Sequence, residues 1–158
     1  MRKDIVQKLE RDIKQLKKRN LWKQFKKEVK DLFVNSVCDL YMPLELEHRL
    51  TRQVVEILIR EELPFTVLTK NDNVLIDLDL YRAYPKCRVG FTITTLDEEF
   101  RRRLEPYSVS SWRKVTALKT LKKKGVSTYC SIEPIMPCAE SDPFEIINET
   151  RDYVDMYE

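Results

Sequence analysis

The chain has 158 residues, 42% hydrophobic and 35% charged, with a formal net charge of +3. That leaves room for one compact domain or a piece of a larger one; it is too short for a complete eight-fold β/α barrel of roughly 250 residues and too apolar for wholesale disorder. Two glycines, Gly90 and Gly125, and one histidine, His48, are present, which excludes glycine-rich dinucleotide and phosphate loops and multi-histidine metal cages.

Charge is unevenly placed. Residues 1–30 carry 12 Lys/Arg against 4 Asp/Glu, and residues 31–158 carry 17 against 22. Within the basic segment Ile5, Leu9, Ile13 and Leu16, then Trp22, Phe25 and Val29, recur at helical spacing with lysines opposite. Asn20 is the expected break and fresh N-cap. Two readings stand side by side: a packed amphipathic helix with a solvated lysine face, or a basic helix that binds nucleic acid or acidic lipid.

Beyond residue 30, strands and helices alternate. Leu32 to Val37 is a short β-rich run. Glu47 to Glu61 predicts one helix, with His48 solvated at its polar start. Phe65 to Thr69 is the next strand, followed by a short helix over 71–81 capped by Asn71 or Asp72. Arg88 to Thr94 is a third strand and Leu96 to Leu104 a short helix. Ser110 caps a helix that runs to Lys124, with Gly125 as its stop. Ser127 to Ile132 is a fourth strand, and Pro143 opens a final acidic helix reaching about Tyr153. Such alternation predicts an α/β fold with about four parallel strands and crossover helices, in a single domain spanning 1–158, of which 1–30 are the basic helices and 31–158 the β/α units.

Parallel α/β sheets place their chemistry at the carboxyl ends of the strands. Those ends hold Ser36, Cys38 and Asp39; Thr69, Lys70 and Asn71; Thr92, Thr94 and Thr95; and Glu133. A lysine, two carboxylates and several hydroxyls suit a polar ligand carrying both amine and carboxylate groups. The four cysteines, Cys38, Cys87, Cys130 and Cys138, form no CxxC pair, so a zinc ribbon is not supported. No signal peptide and no membrane-length apolar run are expected, which points to reduced thiols and a cytoplasmic setting.

Four blocks carry a resemblance to a known family: VNSVCDLYMPLE (Val34 to Glu45), FTVLTKND with the following DLDL (Phe65 to Leu80), FTITTLDEEFRRRLEPYSVS (Phe91 to Ser110), and LKKKGVSTYCSIEPIMP (Leu121 to Pro137). In order and spacing they resemble the radical S-adenosylmethionine (SAM) superfamily, in its spore photoproduct lyase-related, DNA repair photolyase-like branch. The resemblance covers about residues 5–150. It implies a partial (β/α)6 TIM-like barrel, truncated at its N-terminus. SAM would sit at the strand carboxyl ends on a [4Fe-4S] cluster, and reduction would release a 5′-deoxyadenosyl radical. Lys70 and Thr92 would hold the SAM carboxylate or nearby polar atoms, with Thr94 and Glu133 in the same polar set. Ser36 and Asp39 would lie near the substrate or the SAM amine and ribose. Arg103 and Glu105, from the RRRLEP stretch, would orient the site or pair with each other.

The chain also departs from the family's pattern. Cys38, Met42 and Asn71 stand where Thr, Gln and Ser are usual, and no CxxxCxxC loop is present. The cluster ligands are absent from the sequence, and the missing strand and loop would lie upstream of Met1. Three readings follow. The first is a radical SAM-like protein inactive alone or completed by a partner chain that supplies the cluster loop. The second is a non-enzymatic module binding nucleic acid through residues 1–30. The third is SAM or nucleotide binding without radical chemistry.

Overall fold

In the computed structural model, which describes residues 4–34, 38–138 and 140–158, the strands form a parallel sheet in the unbroken order β1-β2-β3-β4-β5. They are β1 (Leu32–Phe33), β2 (Phe65–Thr69), β3 (Cys87–Thr92), β4 (Ser127–Ser131) and β5 (Met156–Tyr157). Before the sheet come α1 (Ile5–Lys18) and α2 (Trp22–Glu28). Between strands lie α3 (Pro43–His48) and α4 (Leu50–Arg60); a 3-10 helix (Asp72–Asp77) and α5 (Leu78–Ala83); α6 (Glu98–Leu104) and α7 (Ser111–Lys123); and α8 (Pro143–Thr150). This is an α/β fold built from β-α units, as the alternation predicts.

Five strands replace the expected four, because the chain after α8 returns to the sheet. Met156 and Tyr157 pair with Tyr129 and Cys130. The Asp155 carboxylate holds that return by accepting from Thr128 N at 2.9 Å and Thr128 Oγ1 at 3.0 Å. A two-residue strand leaves too little alternation to be seen in sequence. At the opposite edge β1 is shorter than expected: Val34 N still donates to Thr66 O at 3.1 Å, and 35–37 lie outside the described residues.

The helix expected over 47–61 is two helices, not one. Arg49 adopts a left-handed φ of 52° between them. The buried Glu45 carboxylate of α3 accepts from Thr51 N at 2.7 Å, capping the first turn of α4 from outside. Asn20 marks the expected break with a φ of 58°, a conformation Asn tolerates. It does not cap α2, whose N-cap Leu21 offers no side-chain bond. Asn71, Asp97, Ser110 and Asp142 do cap, each accepting from a backbone N–H of the following turn.

The core lies along the sheet and its helices, with Val55, Phe65, Val67, Val89, Phe91, Leu118, Leu121 and Ile146 at its centre. Gly90 in β3 is forced by closeness: a Cβ there would lie 2.5 Å from both Cδ1 and the carbonyl oxygen of Tyr129. Gly125 is forced by conformation, its φ of +78° closing α7 in open space. The apolar stripe of α1 packs on α4, burying Ile13. Ion pairs flank the contact, Lys17 to Glu61 at 2.7 Å and Arg60 to Glu10 at 3.3 Å. Among the described residues, no helix is long and apolar enough to cross a membrane.

Candidate functional site

The loop after β1 and the carboxyl end of β2 are tied together by Asp39. Its carboxylate accepts from Tyr41 N (2.8 Å), Thr69 Oγ1 (2.6 Å) and Lys70 N (2.6 Å). Three donors on one carboxylate form a rigid clip between the loop after β1 and the end of β2. The clip fixes the backbone from which the Lys70 side chain leaves the sheet.

Lys70 Nζ donates to Glu105 Oε1 at 2.6 Å, and Lys114 Nζ approaches Glu105 Oε2 at 3.2 Å while donating to Thr92 O at 2.9 Å. Two ammonium groups therefore share one carboxylate and leave a surplus positive charge. They differ in access: the Lys114 side chain is 0% exposed and that of Lys70 42%. Burial pushes the Lys114 amine below its ordinary value, with Glu105 opposing. Burial alone would raise the Glu105 carboxyl, but Lys114 and Lys70 outweigh it and hold the group below the usual range.

Glu105 reaches this position because Arg101 anchors the turn that carries it. Arg101, buried on α6, donates to Glu98 Oε2 (2.8 Å), Glu105 O (3.1 Å) and Ser108 O (2.7 Å). Val109 N and Ser108 Oγ both donate to Lys70 O at 3.3 Å. Two residues beyond the end of β3, Thr94 Oγ1 is buried and has no hydrogen-bond partner among the described residues. A buried hydroxyl without a partner is uncommon and calls for an explanation.

A second buried polar group lies behind the clip. Asp77 accepts from Tyr41 Oη (3.0 Å), Arg49 Nη2 (2.6 Å) and Arg52 Nη1 (3.0 Å), and Tyr41 Oη also meets Tyr81 Oη. Burial, then the neighbouring Tyr81 and Asp77, push the Tyr41 phenol far up, so it stays a neutral donor. This group bolts the loop after β1 to α4 and α5.

Of the residues singled out in the sequence, Asp39, Lys70, Thr92 and Thr94 lie at the carboxyl ends of β1–β3, Thr92 by offering its carbonyl to Lys114. Ser36 lies outside the described residues. Glu133 is exposed beyond β4. Arg103 is exposed and lies over the Phe100 ring at 5.5 Å. It does not pair with Glu105, because two positions along a helix turn it about 200° from Arg101, the arginine that faces inward. Sequence reasoning missed Lys114 and Arg101. Lys114 had a signal: it stands four and seven residues before Leu118 and Leu121, on the apolar stripe of α7, where an unpaired cation would be costly.

The cysteines do not fit an iron–sulfur cluster. Cys87 and Cys130 are buried within β3 and β4, where burial pushes each thiol up to about 12, away from the thiolate a cluster needs. Among the described residues, no group of three His, Cys, Asp or Glu side chains could hold a metal ion.

No family model matches the chain, and no solved structure matches it. Among curated proteins, an uncharacterized protein of Methanocaldococcus jannaschii is 35% identical over 126 residues, which cover 80% of this chain and 48% of that protein. The chain therefore spans about half the length of this relative.

Proposed function

We propose that this chain is the SAM-binding β/α portion of a radical SAM-type protein and that the cluster-bearing cysteines belong to a partner segment. The observation that carries the reading is the Lys70–Glu105–Lys114 group at the carboxyl end of the sheet. Two ammoniums on one carboxylate leave a positive charge that the exposed Lys70 can present to a ligand carboxylate. The buried Thr94 hydroxyl, without a partner among the described residues, adds a polar group beyond the carboxyl end of β3. The unbroken strand order also supports the reading. Right-handed crossovers between successive neighbours put all the crossover helices on one face, as in the wall of a partial (β/α)6 barrel.

In this reading Lys70 and Thr94 hold the carboxylate end of SAM, and Asp39 keeps Lys70 in place. Lys114, fully buried, and Glu105, largely buried, set the charge of the subsite. Bound SAM supplies an activated sulfonium; no step through a cluster is assigned, because the cysteines of this chain do not fit one. Titration calorimetry with SAM tests the reading. Saturable binding is expected for the parent, and a loss of roughly 10–100-fold for Lys70→Ala, the worth of one charge-assisted hydrogen bond of about 1.5–3 kcal/mol. No heat with the parent ends the proposal. Anaerobic reconstitution of the isolated chain with iron and sulfide is expected to give no cluster absorbance, and a stoichiometric cluster would overturn that part.

A further inference from the structure

The basic residues of α1 divide into two sets. Lys17 faces the protein, paired with Glu61 at 2.7 Å. Lys8, Arg11, Lys14 and Lys18 recur at spacings of three, three and four and are exposed, Arg11, Lys14 and Lys18 opposite the stripe that packs on α4 and Lys8 at its flank. They span about 15 Å of helix. In α2 the same division holds: Lys26 pairs with Glu62 at 3.1 Å, while Lys23 and Lys27 are exposed. The ion pairs thus engage Lys17 and Lys26 and leave the outward row with one nearby acid, Asp12, whose carboxylate lies 4.0 Å from Arg11.

The row does not stop with α2. Lys30, two residues beyond it, lines a cavity of about 220 Å3 at the amino ends of β2, β3 and β4. Lys86 and Arg88 line the same cavity, against one acid, Asp31. That acid is engaged, accepting from Thr66 Oγ1 at 2.6 Å. This cavity lies at the opposite ends of the strands from the Lys70 group.

We infer that α1, α2 and the Lys30–Lys86–Arg88 cavity form one phosphate-tracking surface that binds the backbone of nucleic acid without reading its bases. Cations succeed one another along a helix at about 5 Å intervals and end in a concave basic site, which suits a polyanion with regularly spaced charges. The aromatics of the segment, Trp22 and Phe25, stack on each other at 5.5 Å and pack against the core. They face the core rather than the basic row, which therefore offers phosphate contacts that carry no sequence information. The inference does not depend on SAM binding.

Fluorescence anisotropy with labelled mixed-sequence oligonucleotides, single-stranded and duplex, tests it on the full chain. Six phosphate contacts predict a fall in affinity of about 10³-fold between 50 and 200 mM salt. Lys14→Glu/Lys18→Glu and Lys86→Glu/Arg88→Glu should each weaken binding and reduce the salt slope by about 2. The charge-matched Arg102→Glu/Arg103→Glu on α6 should not; circular dichroism checks that all three fold. No binding at 50 mM salt overturns the inference, as does equal loss in the α6 control. Binding to phosphatidylserine vesicles with none to oligonucleotides overturns it in favour of a membrane surface.

Discussion

Glu105→Leu should be among the most damaging single changes in the chain, and for a reason its own burial does not reveal. The carboxylate compensates Lys114, whose side chain is 0% exposed and whose remaining partner is the Thr92 carbonyl at 2.9 Å. Removing one partner of a buried pair strands the other charge, at a cost of about 3–5 kcal/mol. For a domain of this size that is a fall in Tm of roughly 6–20 °C. Lys70→Ala removes a cation that is 42% exposed and leaves Glu105 paired with Lys114, so it should cost no more than about 1 kcal/mol. Glu105→Leu/Lys114→Met should regain most of the loss, since an apolar pair of similar volume is often neutral against a buried ion pair.

The pH dependence carries a sign. In the Leu variant the Lys114 amine remains depressed by burial, so the unfolded chain binds more protons than the folded one between the folded value and 10.5. Stability of the variant should therefore rise with pH through that window, narrowing the gap to the parent. The parent's Glu105, held below its ordinary 4.5, contributes stability above that value and loses it as pH falls through the folded one. Urea unfolding followed by circular dichroism measures all four proteins. A cost below about 1 kcal/mol for Glu105→Leu, or no recovery in the double variant, would refute the buried-pair reasoning.

Gly90→Ala should cost about 1–3 kcal/mol or more, because the new Cβ meets the Tyr129 backbone carbonyl at 2.5 Å. Gly125→Ala should cost about 1 kcal/mol through its φ of +78° alone, with nothing within 4 Å to clash. Thermal unfolding ranks the two, and the reverse order would be inconsistent with the packing. Asp77→Ala should destabilise by about 3 kcal/mol, since it leaves the Tyr41 hydroxyl and two arginines without their shared acceptor; Asp79→Ala, whose side chain is 61% exposed, serves as the mild comparison in the same melt.

The β-α rhythm was legible because the strands are continuous apolar runs bounded by Pro64, Gly125 and capping residues. The caps at Asn71, Asp97 and Ser110, and the stop at Gly125, are local chemistry that needs no tertiary information. What escaped was set at longer range. The split at Arg49 depends on Glu45 turning inward to cap α4, and β5 depends on Asp155 finding Thr128. In the site, Asp39, Lys70, Thr92 and Thr94 could be picked out because strand carboxyl ends are where parallel sheets gather polar groups. The arginine that anchors the turn carrying Glu105 could not: Arg101, Arg102 and Arg103 are adjacent in sequence, and only the helix phase of α6 decides that Arg101 faces in. Lys114 showed itself as a cation on an apolar stripe, but its carboxylate comes from the loop after α6.

Amide chemical-shift mapping of the isotope-labelled chain during a SAM titration tests the central proposal most directly. The expected result is saturable shifts confined to the carboxyl ends of β1–β3, at Asp39, Lys70, Thr92 and Thr94. Shifts absent at saturating SAM, or confined to the basic face of α1 and α2, would contradict it.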